Sequence, residues 1–350
     1  MKDLIEKLEQ QRRLTAEEFA ALIDGRNEES TRLLAQRANA LRERWYGQDV
    51  YIRGLIEFTN YCKNDCYYCG IRRSNRNVCR YRLTREEILE CCEIGYGFGL
   101  RTFVLQGGED PWFTPGDIGE LVRQIKSCWP DCAVTLSVGE HSWAVYQSWF
   151  DAGADRYLLR HETADECHYG QLHPKNQTLE NRLRCLRDLK EIGYQVGCGF
   201  MVGSPGQGTK QLVKDLLLIR DLEPHMVGIG PFIPQMDTPF AGEPAGTAEL
   251  TAYLLSIIRI MLPKVLLPST TALGTIHPRG RELGFLSGAN VCMPNLSPKA
   301  VRENYALYDN KLSTGEEAAE SLRNLQERIE SIGYRMDLSR GDHITKRKRR

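Results

Sequence analysis

From Tyr51 to Pro294, short apolar runs alternate with longer amphipathic ones, eight times over about 240 residues. The apolar runs read as strands at 51–58, 101–107, 133–138, 156–162, 195–202, 226–232, 264–270 and 289–294. Between them, "TREEILECCEIGYGFG" opens on Thr84 and ends in glycine, and "TLENRLRCLRDLKEIG" runs from Thr178 to Gly193. A hydroxyl at the start and a glycine at the end are the usual boundaries of a helix. Eight strand–helix units in series suit an α/β chain closed into a (β/α)8 TIM barrel better than an open sheet. Such a barrel gathers its functional groups where the strands end, in the loops that form its mouth.

The flanks divide the chain further. Residues 1–48 read as a helical extension, with a Thr-x-x-Glu capping pattern at Thr15 and Glu18. The barrel occupies 49–295. A helical segment at 296–335 includes "TGEEAAESLRNLQERIESIG", and the tail at 336–350 ends in "HITKRKRR", which reads as a solvated, disordered end. The 46 basic and 46 acidic side chains cancel, so no long-range field favours nucleic acid or an anionic membrane. The N-terminus lacks the apolar core of a signal peptide, and no apolar run reaches membrane-spanning length. These features point to a soluble cytoplasmic protein. In that compartment twelve cysteines suggest metal or redox chemistry before disulfides.

Cys62, Cys66 and Cys69 stand in the loop after the first strand, spaced C-x3-C-x2-C. Three thiolates at that spacing can converge on one centre. Structural zinc normally takes a fourth thiolate or imidazole, for which Cys79 is the candidate. An iron–sulfur cube held by three cysteines leaves one iron open to a small molecule. Spacing leaves both open. Cys91, Cys92, Cys128, Cys132, Cys185 and Cys198 read as small apolar core residues. "GSPGQGTK" at 203–210 resembles a phosphate-binding loop, but Thr209 and Lys210 stand in reversed order; "HETADECH" has its second histidine too far on for a zinc-protease helix.

C-x3-C-x-aromatic-C, with Tyr68 at the aromatic place, resembles the signature of the radical S-adenosylmethionine (SAM) superfamily. Along the chain, "VLQGGEDP", "LSVGEHS", "AGADRYLLRHETAD", "GFMVGSPGQ", "VGIGPFIP", "DTPF", "TTALGTIHPRGRE" and "GANVCMPN" follow in order at strand ends. Together they resemble the HydE family of [FeFe]-hydrogenase maturases over nearly the whole chain. Biotin synthase and methylornithine synthase are the neighbouring families.

The resemblance implies one [4Fe-4S] cluster on Cys62, Cys66 and Cys69, with SAM on its open iron and a 5′-deoxyadenosyl radical as reagent. It implies that Gly107, Gly108 and Glu109 bind the SAM amino group, that Ser137 contacts SAM, and that Glu162 takes the ribose hydroxyls. Arg182 is implied to pair with the SAM carboxylate, and Met201 and Ile229 to line the adenine. Glu140 reads as a cap of the next helix. For the substrate it points to Thr135, Arg156, Thr270, Thr271, Tyr305 and Met226, which suit a small anionic or metal-bound ligand inside the barrel. The implied reaction acts on a small iron-bound, cysteine-derived precursor during assembly of the bridging dithiolate ligand of the hydrogenase di-iron centre. The implied partners are an electron donor and other hydrogenase maturases.

Two departures stand out. Some HydE proteins carry a second, C-terminal C-x7-C-x2-C motif; here no cysteine follows Cys292, so a second cluster is not expected. Gly208 stands where relatives often have threonine, which removes a hydroxyl from a helix start. The alternatives are a methylornithine-synthase-like radical mutase and, from another class, a zinc-stabilised binding scaffold.

Overall fold

A computed structural model describes residues 1–312 and 318–346. Three helices lead: α1 (Lys2–Gln11), α2 (Ala16–Asp24) and α3 (Glu28–Tyr46). α2 begins with the reciprocal Thr15–Glu18 capping box that the sequence suggests. The chain then runs through β1 (Asp49–Ile52), β2 (Gly54–Thr59), α4 (Arg85–Gly97), β3 (Thr102–Gly107), α5 (Pro115–Cys128), β4 (Ala133–Ser137), α6 (Trp143–Asp151) and β5 (Arg156–Leu158). Next come α7 (Glu166–Leu172), α8 (Leu179–Ile192), β6 (Gln195–Cys198), β7 (Met201–Val202), α9 (Thr209–Leu222), β8 (Met226–Val227) and β9 (Gly230–Pro231). The last elements are α10 (Ala248–Met261), α11 (Thr271–Ile276), α12 (Gly280–Phe285), β10 (Val291–Cys292), α13 (Lys299–Arg302), α14 (Ala318–Glu330) and β11 (Arg335–Asp337).

Six strands pair in parallel in the order β2-β3-β4-β5-β6-β8. Single parallel bridges close the ring: Met226 to Leu266, Pro268 to Val291, and Leu55 to Asn295. The segment 264–270, read from sequence as the seventh strand, forms only isolated bridges, through Leu266 and Pro268, and is held by backbone bonds such as Leu266 N–H to His225 O and Ser269 N–H to Val291 O. α4 and α8 start on the threonines named above, each of which accepts a backbone N–H from three residues on. Gly193 ends α8 at φ +110°, a left-handed conformation that glycine takes without a Cβ clash. α9 starts at Gly208 without a side-chain cap, and Gln211 reaches back to the Gly208 N–H instead.

α10 is buried nearly all round, because the N-terminal helices cover the face turned away from the barrel. Tyr253 donates to the Leu22 carbonyl, and Arg12 to that of Ile260. At the mouth, the chain after α13 crosses as a strap. Gly70 N–H donates to Leu307 O at 2.9 Å, Asp309 N–H to Pro234 O at 3.1 Å, and Lys311 Nζ to the buried Glu57 at 2.6 Å.

The C-terminal tail departs from the sequence expectation. Up to Lys346 it is not a loose solvated end. β11 pairs with β1, and the chain then passes under the barrel: Arg101 N–H donates to Leu338 O, and Thr102 Oγ1 to Arg340 O. Arg340 pairs with Asp155 at 2.8 Å, and Asp342 accepts from Arg156 at 2.6 Å and from Gln195 at 2.8 Å. The physical reason is that barrel strands begin here with charged and polar side chains, which the tail satisfies. The tail's own charges suggest a solvated end; the partners that order it lie far off in the sequence. The final basic residues, 347–350, and the start of the "TGEEAAESL" segment lie outside the described residues. Cys91, Cys92, Cys132, Cys185, Cys198 and Cys292 are buried, but Cys128, at the end of α5, is exposed.

Candidate active site at the barrel mouth

A cavity of about 300 Å³ opens at the C-terminal ends of the strands. Cys62, Cys66, Tyr68, Cys69, Gly107, Gly108, Glu109, Ser137, Glu162, Arg182, Met201, Thr270 and Tyr305 all line it. A larger hollow, about 1100 Å³, lies at the other end beside the C-terminal tail, among Arg101, Asp155, Arg340 and Asp342. Its charges pair with one another and it contains no cysteine, so the smaller mouth cavity is the better candidate for chemistry.

The cysteine loop, 60–82, is shaped by backbone bonds that turn it repeatedly. Cys69 N–H donates to Cys66 O, Arg72 N–H to Cys69 O and Asn75 N–H to Arg72 O. Arg80 then gathers the carbonyls of Asn60, Ile71, Arg72 and Asn75 under one guanidinium. Tyr67 N–H donates to Leu172 O, and Tyr68 shares a 3.1 Å hydrogen bond with His173. Burial pushes the Cys66 thiol up to about 12, with neighbouring Cys62 adding to it; burial raises Cys62 and Cys69 as well. Thiols in this state stay protonated until a metal replaces the proton. Among the described residues, no trio of Cys, His, Asp or Glu is arranged to hold a single metal ion.

The end of β3 needs its glycine. A Cβ on Gly108 would stand 2.1 Å from Tyr61 O and 2.8 Å from Cys62 Cβ, so only glycine lets this backbone lie against the cysteine loop. Glu109 Oε2 pairs with Lys63 at 3.1 Å, and Oε1 accepts the Glu140 N–H. Glu140 is not a helix cap: α6 is capped by Ser142, and Glu140 instead accepts from Asn181 and Arg182. The carboxylate was misassigned because its partners sit some forty residues on, in α8. Arg182 also donates Nη1 to Arg160 O at 2.6 Å, leaving Nη2 without a protein partner among the described residues.

Glu162 is the most unusual residue of the cavity. Its φ is +63°, rare for a side chain other than glycine, asparagine or aspartate. One carboxylate oxygen is buried and unbonded; Arg160 Nη2 lies 3.3 Å away but is not aligned to donate. Buried carboxylate oxygens are seldom left this way without a ligand to meet them. Beneath it, buried His161 and Asp215 lie 3.3 Å apart, while Asp215 accepts the Ala164 N–H and His161 Nδ1 the Gly199 N–H. These bonds hold the turn that carries Glu162.

Other expected residues fall elsewhere. Thr135 and Met226 line a separate hollow of about 20 Å³ lower in the barrel, with Arg53; the Thr135 hydroxyl has no partner there. Arg156 lies at the base, at the start of β5, where its guanidinium is taken by Thr102, Arg340 O and Asp342. It does not reach the mouth, because β5 begins with it. Ile229 is core, and Thr271 is the first residue of α11, behind Thr270. Arg160, Leu307 and Tyr308 line the cavity and were not anticipated. Arg160 was within reach of the sequence: in the strand read at 156–162 it stands two residues before Glu162 and so on the same face. The strap residues gave no periodic signal.

The sequence model of the Radical SAM superfamily matches residues 56–219. The chain is 44% identical over 332 residues to the [FeFe] hydrogenase maturase subunit HydE of Thermotoga maritima, covering 95% of this chain and 94% of that one. It is 30% identical over 332 residues to the 3-methylornithine synthase of Methanosarcina acetivorans, covering 94% and 92%. The crystal structure of methylornithine synthase (PylB) superposes with a TM-score of 0.85 at 28% identity, over 95% of this chain and 97% of that one. The chain therefore belongs to the radical SAM superfamily and, within it, to the HydE family. It is an enzyme, and its superfamily implies a [4Fe-4S] cluster and SAM. The thiol trio, the glycine cradle and the unbonded Glu162 oxygen fit that pair of cofactors. Among the described residues no helix is long and apolar enough to cross a membrane.

Proposed function

We propose that this chain is a radical SAM enzyme of [FeFe]-hydrogenase maturation, acting on a small iron-bound, cysteine-derived precursor of the bridging dithiolate. The observation that carries the chemistry is the meeting, in one cavity, of three thiols, the Gly108 backbone and the unsatisfied Glu162 carboxylate. The 44% identity to HydE supports the pathway.

In this reading Cys62, Cys66 and Cys69 hold one cluster and leave one iron free; no second cluster is expected, since no cysteine follows Cys292. Gly107, Gly108 and Glu109 meet the amino group of SAM with backbone and carboxylate. Arg182 offers Nη2 to its carboxylate, the stronger for being charge-assisted. Glu162 accepts the ribose hydroxyls, Ser137 adds a polar contact, and Tyr68 and Met201 bound the cofactor. Bound there, cluster and SAM supply a 5′-deoxyadenosyl radical able to abstract hydrogen. Thr270 and Tyr305 face the substrate, and the strap covers it and excludes water. Other maturases are expected to receive the product.

The test is anaerobic maturation of an [FeFe]-hydrogenase in a system lacking only its HydE. Restored hydrogen evolution on adding this chain supports the assignment; no restoration by protein that cleaves SAM would refute it. The 0.85 TM-score to methylornithine synthase favours a second reading, a radical mutase. Formation of 3-methylornithine in the same preparation would establish it.

A further inference from the structure

The chain carries no net charge, yet its charge is unevenly placed. Between Asn60 and Arg82 stand six basic residues, Lys63, Arg72, Arg73, Arg76, Arg80 and Arg82, against one acid, Asp65. That loop is therefore +5, and the rest of the chain −5. It is also the loop that carries all three candidate cluster ligands.

Four of the six are occupied within the fold. Lys63 pairs with Glu109, Arg72 with Asp65 at 2.8 Å, and Arg82 with Asp110 at 2.6 Å, while Arg80 binds backbone carbonyls. Arg73 and Arg76 differ. Both side chains are exposed and have no ion-pair partner among the described residues. They stay close to the cysteines: Arg73 N–H donates to Asn64 O at 2.8 Å, inside the C-x3-C segment, and Arg72 N–H to Cys69 O. Exposed Lys175 adds a third cation on a second loop, which meets the cysteine loop where Cys66 donates to Gln177. The neighbouring acid Asp237, hydrogen-bonded by neutral Asn77 and Gln235, keeps its charge, one acid against the three cations Arg73, Arg76 and Lys175. Exposed arginines without an ion-pair partner add no salt-bridge stability, but they create a positive field over the outer side of the cluster loop.

We propose that this arginine face is the docking surface for an acidic one-electron carrier protein that reduces the cluster. The proposal depends on the radical SAM reading above. In the docked complex the carrier loses one electron and the cluster gains it; no proton or group moves. Electron transfer needs close approach of the two centres, and the turns after Cys69 place cluster ligand and arginines on one short loop. Complementary charge supplies fast, salt-sensitive association without a large apolar interface. A carrier must leave after each electron, which suits such a contact.

The test uses the reconstituted holoenzyme and measures 5′-deoxyadenosine from SAM under two reductants, dithionite and reduced flavodoxin, an acidic flavoprotein. The variants are Arg73→Glu/Arg76→Glu and the milder Arg73→Gln/Arg76→Gln. With dithionite, which needs no docking site, both should match wild type within about twofold. With flavodoxin, the concentration giving half-maximal rate should rise at least about tenfold for the charge-reversed pair and less for the glutamine pair. Added salt should weaken the wild type toward the variants. Equal flavodoxin response in wild type and both variants at low salt would overturn the proposal, as would loss of iron from the glutamine pair, which would make the arginines structural. Failure of the wild type with dithionite would instead refute the radical SAM reading itself.

Discussion

The two ends of the barrel differ in how completely their charged groups are bonded. At the base, Arg156, Asp342, Arg340, Asp155 and Lys126 form a connected set in which each charge has a counter-charge. At the mouth, Glu162 keeps an unbonded oxygen on a strained backbone, 3.3 Å from an Arg160 that is not aligned to donate and that has two buried nitrogens without a bond; in the base set only Arg156 Nε is left so. Unmade hydrogen bonds cost about 1–3 kcal/mol each, more for charged groups. The base therefore spends its charges on stability, whereas the mouth tolerates instability in order to receive a ligand. Mutations at the two ends should separate cleanly, with mouth changes altering cofactor binding and base changes altering stability.

The largest effect belongs to the cysteines. Cys69→Ala should lose the cluster and at least about a hundredfold in SAM cleavage, since two thiolates rarely retain a cube; wild-type cleavage with normal iron would remove Cys69 from the ligand set. Glu162→Gln should weaken SAM binding about tenfold, in line with 1.5–3 kcal/mol for a charged hydrogen bond. Its melting temperature should change little, because the Glu162 side chain makes no aligned hydrogen bond in the fold and only a 3.3 Å approach to Arg160. A drop in stability with unchanged SAM affinity would make Glu162 a structural residue. Arg182→Ala should also weaken SAM binding while iron and sulfide stay constant; their loss would place Arg182 in the fold instead.

Base changes should be smaller and of the other kind. Asp342→Asn should destabilise the fold by about 1–3 kcal/mol and leave SAM affinity alone. Burial by itself would raise the Asp342 carboxyl, but Arg156, Arg340 and Gln195 outweigh it and bring it to about 2. A carboxyl lowered on folding contributes stability above its unfolded value near 4, and loses it as pH falls toward 2. Acid unfolding between about pH 4 and 2 should therefore be shallower in Asp342→Asn, followed by circular dichroism; identical acid profiles would show that the pair adds nothing.

The same contrast explains what could be read from the sequence. The barrel was legible because eight apolar runs and two well-capped helices obey local rules. The cysteine loop and the strand ends at Gly108, Ser137 and Glu162 followed, since position along a strand fixes height in a barrel. Arg156 was misplaced for the same reason, inverted: it opens its strand, so it belongs to the base. Tail residues 336–346 were misread because their order comes from partners such as Arg156 and Gln195, 147 to 186 residues away. The role of Glu140 was hidden likewise, in a partner on another helix.

The central claim is that the mouth cavity holds a cluster able to reduce SAM. Protein reconstituted with iron and sulfide without oxygen, then reduced in the presence of SAM, tests it most directly. The account predicts about four irons and four sulfides per chain, as a cube requires, with 5′-deoxyadenosine released. Zinc without sulfide, and SAM left intact, would contradict it and make the three cysteines a structural site.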